Sequence, residues 1–463
     1  MGRIIKSVLV VSLIFLFQGG FTQSEMIDSL KARLPHTLGS DRVQTLITLS
    51  EEYRGYLFDD CISCGKQAAQ LAERGENIDL QALAFKSIGV SYFFEGDLEI
   101  SLNYYEKSLN LYVENNNLKG MANCLNNIGL VYLERGNYTK AKDYYQKKYE
   151  IVKSLGNYQS MASALIQLGN INYYRSNYQQ SLDYYYQAML IYNDIDDKSG
   201  KADASYSLGI IYSEMKSFAK ALEYYKKAET TYSETGNNRD LSHVLNNMAK
   251  IYNFEFKDFN TAYLLYEQSL ELKKQLNDKI GIALLYNNLG TLFGNKKDYN
   301  EAMIYFGKSK TLYEEIGSES GLMMVVFNIG EVYMEKGEIQ HAIMLYKESL
   351  EMAKKNGEVS YINQNYEALF YSHAQLCKYD EFDKYYKLFA IGKDTLIDRL
   401  NQAEIAEVEA KYKVEGLLRE LSNMQKDNDR QTEEIRNNKL LLAGIAGLFL
   451  LFLFYIVFRK WRT

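Results

Sequence analysis

Residues 205–228 read SYSLGIIYSEMKSFAKALEYYKKA. In this stretch Gly209 and Tyr212, three residues apart, form a first group. Ala221, Tyr225 and Ala228 form a second group. Side chains spaced by three and four residues share one face of a helix, so the second group predicts a packed helix face. The glycine lets a neighbouring helix approach the first helix closely. The stretch therefore predicts two helices packed against each other.

The same pattern returns about every 40 residues. The glycine position holds Gly89, Gly129, Gly169, Gly209, Ala249, Gly290 and Gly330. The aromatic residue that follows is present in six of the seven copies, and the third copy has Asn172 instead. The ring of the second group is Tyr105, Tyr145, Tyr185, Tyr225, Tyr266, Phe306 and Tyr346. The fifth copy has one inserted residue in its turn, within Asn253 to Asp258. A helix pair cannot bury such a face alone, so the period predicts stacked pairs that share a core.

These repeats resemble tetratricopeptide repeats, whose pattern of Leu-Gly, Tyr, Ala, aromatic and Ala is met between Leu208 and Ala228. The family's early Trp and late Pro are absent, and the longer period resembles that of kinesin light chains and bacterial Rap regulators. The resemblance implies an all-α fold, a TPR-type α-solenoid superhelix, which we expect to be followed by a helical stalk and one transmembrane helix. We assign a signal peptide to 1–22, an N-terminal capping helix and degenerate repeat to 24–81, seven repeats to 82–361, a degenerate C-terminal repeat to 362–400, a charged stalk to 401–438, a transmembrane helix to 440–458 and a cytoplasmic tail to 459–463.

The composition agrees with a helical array. The 463 residues include 41 Tyr and 1 Pro, so almost nothing interrupts helices and a ring fills a recurring position. Because 47% of the residues are hydrophobic, wholesale disorder is excluded. A net charge of −6 without a long Lys/Arg cluster argues against a nucleic-acid partner.

Both ends of the chain carry membrane-targeting signals. Arg3 and Lys6 precede ten apolar residues, Val8 to Phe17, which are too few to span a bilayer and predict a signal peptide. Leu440 to Phe458 contains 19 residues without a charge, enough to span a membrane core of about 30 Å. The basic residues that follow are Arg459, Lys460 and Arg462. The positive-inside rule therefore predicts a single-pass protein of the cell inner membrane, with the repeats in the periplasm and the short tail in the cytoplasm.

The segment before the predicted span shows heptad spacing. Its core positions are Val414, Leu417, Leu421, Met424, Asn428, Gln431, Ile435 and Asn438. Because the pattern covers fewer than four heptads and three of these core positions are polar, it leaves two alternatives open. They are a parallel homodimer through 414–438 and a single helical stalk.

Known catalytic motifs are missing from the sequence. It contains no Walker phosphate loop, no GxGxxG and no HExxH, so we predict a protein that is not an enzyme and needs no cofactor or metal. Cys61 and Cys64 form a CxxC motif, which in an exported protein could serve redox chemistry. Cys61, however, falls on the small-residue packing position of the first degenerate repeat, which favours a structural role.

A ladder of asparagines precedes the repeat glycine on the first helices. Its members are Asn126, Asn127, Asn246, Asn247, Asn287, Asn288 and Asn328. An amide offers a donor and an acceptor, which suits the backbone of an extended peptide bound in the concave groove. The resemblance implies this role for Asn127, Asn247, Asn288 and Asn328. Gln167 and Ser207 interrupt the ladder, and the alternative is that these amides bond to the next repeat.

The layout of the whole sequence resembles the extracytoplasmic half of Bacteroidetes-type receptors. In that group a histidine kinase or a LuxR-type DNA-binding domain follows the span, whereas this sequence ends five residues after it. The leading hypothesis is a membrane-anchored extracytoplasmic scaffold that binds a protein or peptide, as a receptor half without its output domain. The alternative is a split signalling receptor that regulates a separately encoded histidine kinase or transcription regulator through its membrane helix.

Overall fold

A computed structural model describes residues 23–54 and 57–394. In these residues α1 (Gln23–Arg33) and a short 3-10 helix (Leu34–His36) precede nine helix pairs. The first helices of the pairs are α2 (Gly39–Tyr53), α4 (Ile78–Glu95), α6 (Leu118–Glu134), α8 (Tyr158–Tyr174), α10 (Lys198–Glu214), α12 (Asn238–Phe254), α14 (Lys279–Asn295), α16 (Glu319–Glu335) and α18 (Val359–Gln375). The second helices are α3 (Phe58–Arg74), α5 (Leu98–Glu114), α7 (Tyr138–Ser154), α9 (Tyr178–Asp194), α11 (Phe218–Thr235), α13 (Phe259–Gln275), α15 (Tyr299–Ile316), α17 (Ile339–Asn356) and α19 (Tyr379–Asp394).

The predicted all-α solenoid is confirmed for this part of the chain, which contains no strand. We number the pairs α4/α5 to α16/α17 as repeats 1 to 7. The predicted signal peptide (1–22), stalk (401–438), transmembrane helix (440–458) and tail (459–463) lie outside the described residues. Between residues 23 and 394, apart from the two that are not described, no helix has the length and apolar character needed to cross a membrane.

Each turn ends one helix and caps the next. At the end of α4, Gly96 has a φ of 94°, a left-handed conformation that glycine adopts without steric cost. Asp97 then starts α5, because its Oδ1 accepts a hydrogen bond from the backbone N–H of Ile100 at 3.1 Å. Asn137 starts α7 in the same way, accepting from the backbone N–H of Lys140 at 3.1 Å. The Gly-Asp and Gly-Asn pairs therefore set the helix boundaries that the repeat pattern predicts.

In the six repeats that carry the glycine, the ring of the second helix crosses the glycine of the first helix, and in repeat 5 the small Ala249 takes the place of the glycine. A Cβ added at Gly169 would lie 2.4 Å from Cε1 of Tyr185, and one added at Gly290 would lie 2.6 Å from Cδ1 of Phe306. Both rings are buried. The close approach predicted at the glycine is thus confirmed, and the neighbour is the second helix of the same repeat. Truncating such a ring to Ala typically costs about 3–5 kcal/mol, which makes this contact a main source of stability.

The fifth repeat differs from its neighbours in its turn. Four residues, 255–258, separate α12 from α13, whereas three residues separate α10 from α11. The extra residue predicted between Asn253 and Asp258 therefore lies in the turn. The helices themselves keep the spacing of the other repeats.

The contacts between repeats define two sides of the array. Consecutive first helices contact one another at most junctions, for example α10 with α12 and α14 with α16. In the described chain, consecutive second helices make no contact of comparable extent. First helices therefore lie closer together than second helices and form the inner side of the array. We call the exposed side of the first helices the inner surface.

Candidate peptide-binding surface

The inner surface of repeats 3 to 5 combines solvent access with dense protein surroundings. Tyr206 of α10 and Lys250 of α12 are both partly exposed. Burial nonetheless raises the pKa of Tyr206 and lowers the pKa of Lys250, and at Lys250 the Glu214 carboxylate partly offsets the effect. A group that still contacts water while protein replaces most of its surroundings lies at the bottom of a concave surface. Tyr206 and Lys250 therefore lie in an enclosed part of the inner surface.

Four of the seven ladder asparagines are hydrogen-bonded to one another across repeats, and a fifth, Asn247, bonds to Tyr206 of the preceding repeat. Asn288 Nδ2 donates to Asn246 Oδ1 at 2.7 Å, which links repeat 6 to repeat 5. Asn328 Nδ2 donates to Asn287 Oδ1 at 2.9 Å, which links repeat 7 to repeat 6. Asn246, Asn287 and Asn288 are buried. These bonds correspond to the alternative in which the amides hold neighbouring repeats together, and the peptide-binding role of the four stays a prediction.

The other three ladder asparagines are partly exposed. Asn126 donates through Nδ2 to Asn127 Oδ1 at 3.3 Å. Asn247 Nδ2 donates to the hydroxyl of Tyr206 at 3.2 Å, so it borders the most enclosed part of the inner surface. Of the seven, Asn247 is the best placed for a ligand contact because it is partly exposed and lies next to Tyr206.

The rings of the second helices also reach the inner surface, which the sequence pattern does not indicate. The Tyr185 hydroxyl donates to Oδ1 of Asn170 at 2.7 Å, and the Tyr346 hydroxyl donates to Glu331. Asn170 and Glu331 both directly follow the repeat glycine. A buried phenol usually needs a hydrogen-bond partner, so a polar residue after the glycine was the signal that could have revealed this contact.

A carboxylate with a raised pKa lies on the inner surface of repeat 4. Asp203 accepts a hydrogen bond from the Tyr232 hydroxyl at 2.7 Å. Desolvation raises the pKa of Asp203 to about 7, and the neighbouring carboxylates of Asp240 and Asp197 add to the effect, whereas the bond from Tyr232 opposes it. Asp203 is exposed, so it presents an acidic group to solvent on this part of the inner surface.

A lysine is buried behind the inner surface of repeat 2. Lys148 is 8% exposed, and its Nζ donates to Oδ1 of Asn126 at 3.0 Å. Desolvation lowers its pKa to about 8. The other repeats carry a small residue at this position, namely Ser108, Ala188, Ala228, Ser269, Ser309 and Ser349. The sequence shows that Lys148 occupies a small-residue packing position. The repeat pattern alone does not predict which group its amine contacts.

The cysteines of the CxxC motif are free and packed. Cys61 is buried, and its Sγ donates to the backbone oxygen of Ser50 at 2.8 Å. Burial raises the pKa of the Cys64 thiol to about 11, so little reactive thiolate exists near neutral pH. These contacts favour the structural role over redox chemistry. Within 23–54 and 57–394, no three His, Cys, Asp or Glu side chains are grouped as metal ligands.

Comparison with known proteins gives matches at the level of the repeat and the fold. The sequence profile of the tetratricopeptide repeat family matches residues 79–154, 160–234 and 281–355. No curated protein that was compared matches the sequence. A Rap protein solved in complex with competence and sporulation factor is 14% identical with a TM-score of 0.55, and the match covers 80% of this chain and 99% of that chain.

Two further solved structures have similar folds. The Rap conjugation gene regulator of the plasmid pLS20, solved in complex with a peptide, is 13% identical with a TM-score of 0.50, covering 73% of this chain and 96% of that chain. The quorum sensor NprR from B. thuringiensis is 18% identical with a TM-score of 0.49, covering 62% of this chain and 81% of that chain. At these identities the likeness concerns the fold alone. The resemblance to Bacteroidetes-type receptors stays a prediction.

Proposed function

We propose that the inner surface of this array, whose repeats match the tetratricopeptide repeat profile, binds an extended segment of a protein or peptide. The observation that carries this proposal is the enclosed inner surface of repeats 3 to 5, where Tyr206 and Lys250 remain partly exposed despite strong desolvation. A concave surface with a few convergent polar groups is the usual form of a binding site.

The chemistry of this surface suits a peptide backbone with polar side chains. Asn247 and Asn170 provide amides, Tyr206 and Tyr173 provide hydroxyls, and Lys250 provides a cation. Extended peptides need both donors and acceptors along their length, and this set supplies them from first helices that the core holds in place. The Rap conjugation regulator, whose fold is similar, was solved with a bound peptide, which supports the same kind of ligand here.

We further propose that the array is anchored in the cell inner membrane and faces the periplasm. Support comes from the apolar segment 440–458, the basic residues after it and the signal sequence at the start of the chain. A split signalling receptor is the second candidate. It would use the same inner surface and differ only in the partner of the membrane helix.

Site-specific photo-crosslinking in the full chain tests the binding proposal. A photoreactive amino acid replaces Gln167 on the inner surface in one variant and the exposed Gln268 of α13, on the outer side, in a matched control. We expect a discrete crosslinked partner from position 167 and none from position 268. Equal capture at both positions, or no crosslink at 167 above that at 268, would mean that the inner surface is not the binding site.

A further inference from the structure

Repeat 5 carries a charged residue at a position where four repeats carry a tyrosine and the other two carry an apolar residue. The last turn of the second helix carries a buried tyrosine in four repeats, namely Tyr112, Tyr192, Tyr232 and Tyr313. In repeat 5 this residue is Lys273, which is 4% exposed. Its stem packs on the start of α14, since a Cβ at Gly281 would lie 2.8 Å from Cδ of Lys273. A charged group therefore replaces a phenol at the junction of repeats 5 and 6.

The ammonium of Lys273 joins three helices. Its Nζ lies 3.2 Å from Nε2 of His243 on α12 and 2.9 Å from Oδ2 of Asp278. The other oxygen of Asp278 accepts from the backbone N–H of Gly281 at 2.9 Å and caps α14. One side chain of α13 thus connects α12 to the first turn of α14.

The contact with His243 exists only while the imidazole is neutral. An ammonium has donors and no acceptor, so Nε2 must provide its lone pair to Lys273. A protonated imidazole has donors on both nitrogens, and its charge would stand 3.2 Å from the Lys273 ammonium. Protonation therefore converts this hydrogen bond into a repulsion between two cations.

The surroundings of His243 give the added charge little compensation. The groups that face it are Lys273 from α13, Asp278 from the start of α14, and Arg239 and Lys250 from its own helix. Asp278 is already paired with Lys273. Asp240, one turn earlier on α12, also interacts with Lys273, and it accepts a hydrogen bond from Asn237. In repeat 4, Asp203 of α10 occupies the position that His243 occupies in repeat 5. Asp203 accepts a hydrogen bond from Tyr232 of α11 rather than from this cluster. Desolvation and then Lys273 lower the pKa of His243 to about 4.

We propose that His243, Lys273 and Asp278 form an acid-sensitive latch, in which the neutral imidazole holds the Lys273 ammonium of repeat 5 on the Asp278 cap of repeat 6, and that protonation of His243 displaces Lys273 and releases the junction. The hydrogen bond from Asn288 to Asn246 crosses the same junction, so release also loosens the asparagine ladder on the inner surface. The latch concerns the array itself and needs no ligand, so it stands whether or not the proposed binding function holds. In the extracytoplasmic location proposed above, the junction would meet the pH of the surroundings.

The sign of the effect follows from the lowered pKa. His243 favours the folded state when neutral, so its contribution is fully present above the unfolded-state pKa of about 6.5 and is lost as the pH falls toward the folded-state pKa of about 4. With a pKa of about 6.5 in the open junction and about 4 in the closed junction, the ratio of closed to open junction is roughly thirty-fold lower at pH 5 than at pH 8.

Hydrogen exchange of the full chain measures this opening directly. We expect peptides from 238–295 to lose protection between pH 7.5 and pH 5, after correction for the intrinsic exchange rate, while peptides from 118–154 keep theirs. In His243→Gln the carboxamide oxygen can accept from Lys273 at either pH, so the acid-induced loss in 238–295 should largely disappear. His341→Gln, at an exposed histidine of α17, is the matched control and should behave like the unchanged chain.

A second variant covers the case in which His243→Gln folds poorly. Lys273→Met keeps an apolar stem against α14 and removes the cation that faces His243. We expect lower protection of 238–295 at pH 7.5, because the link is missing, and a smaller further loss at pH 5. If the loss of protection of 238–295 at pH 5 is as large in either variant as in the unchanged chain, the latch proposal is wrong. A loss of protection that is uniform along the whole array would also overturn it.

Discussion

The ring of Tyr225 lies so close to Gly209 that a Cβ at position 209 would be 2.4 Å from Cδ1 of the ring. Tyr225 is 1% exposed, and the backbone of its helix is held by the rest of repeat 4, so the ring has little room to move. The conserved spacing between the glycine and the ring within this chain is therefore a packing requirement and not a matter of backbone flexibility.

Gly209→Ala should lower the free energy of unfolding by about 1–3 kcal/mol, because the added methyl group overpacks a filled core. Chemical denaturation of the full chain measures the change. Gly307→Ala is the control: Gly307 also lies within a helix, but a Cβ there meets nothing within 4 Å. Better helix propensity should leave that variant unchanged or more stable by up to about 1 kcal/mol. Equal behaviour of the two variants would contradict the packing argument.

The hydroxyl of Tyr145 is buried without a hydrogen-bond partner in the described chain, because the residue after the repeat glycine is Leu130. Tyr145→Phe should leave stability unchanged or raise it, since an unsatisfied buried group costs about 1–3 kcal/mol. Tyr185→Phe should lower stability by about 0.5–1.5 kcal/mol, because it removes the bond to Asn170. The two melting curves should therefore shift differently, and a shift of the same sign and size in both would refute the distinction.

The ladder asparagines should separate into stabilising and ligand-binding residues. Asn288→Ala leaves Oδ1 of the buried Asn246 without its partner and should cost about 1–3 kcal/mol of stability. Asn247→Ala should change stability less, because Asn247 is partly exposed, and should reduce the crosslink obtained from position 167. Melting curves and crosslink yield measured on both variants check this division. If Asn247→Ala lowers the melting temperature by several degrees and leaves the crosslink intact, the binding role of Asn247 is wrong.

The membrane topology can be tested with reporter fusions. Alkaline phosphatase fused after residue 437 should be active, because the predicted orientation places this point in the periplasm. The same reporter fused after Thr463 should be inactive, since the tail is predicted to be cytoplasmic. The opposite pattern of activities would reject both the orientation and the proposed location of the repeats.

Much of the fold could be predicted from the sequence because the relevant spacings are local. The distance from Gly209 to Tyr225 along the chain sets both the helix pair and its closest contact. The inserted residue before Asp258 could be assigned to a turn because the helical spacing resumes after it. These features depend on contacts within one repeat, which the 40-residue period displays seven times.

The partners of the inner-surface residues could not be predicted in the same way. Whether Asn288 reaches Asn246 or a ligand depends on the distance between consecutive first helices, and that distance is set by the packing of whole repeats. The link from Lys273 to His243 joins residues 30 positions apart, at two places where the repeat pattern expects other residue types. Both lysines that depart from the pattern, Lys148 and Lys273, are visible in the sequence, but their amines are located only by the fold.

Lys148 provides the last test, because its charge is buried without a carboxylate partner. Its pKa of about 8 means that the folded chain favours the neutral amine. The charged amine therefore destabilises the fold below pH 8, and this penalty fades as the pH rises from about 8 to the ordinary lysine pKa of about 10.4. Lys148→Met should raise the free energy of unfolding at pH 7 by about 1–3 kcal/mol after the loss of the bond to Asn126.

The advantage of Lys148→Met should shrink between pH 8 and pH 10, which denaturation curves at several pH values can follow. Lys147→Met is the matched control, because Lys147 is the exposed neighbour on the same helix and should show no such dependence. A Met variant that is less stable than the unchanged chain at pH 7 would show that the amine of Lys148 is stabilised in the fold by more than its bond to Asn126. The assignment of Lys148 as an uncompensated buried charge would then be wrong.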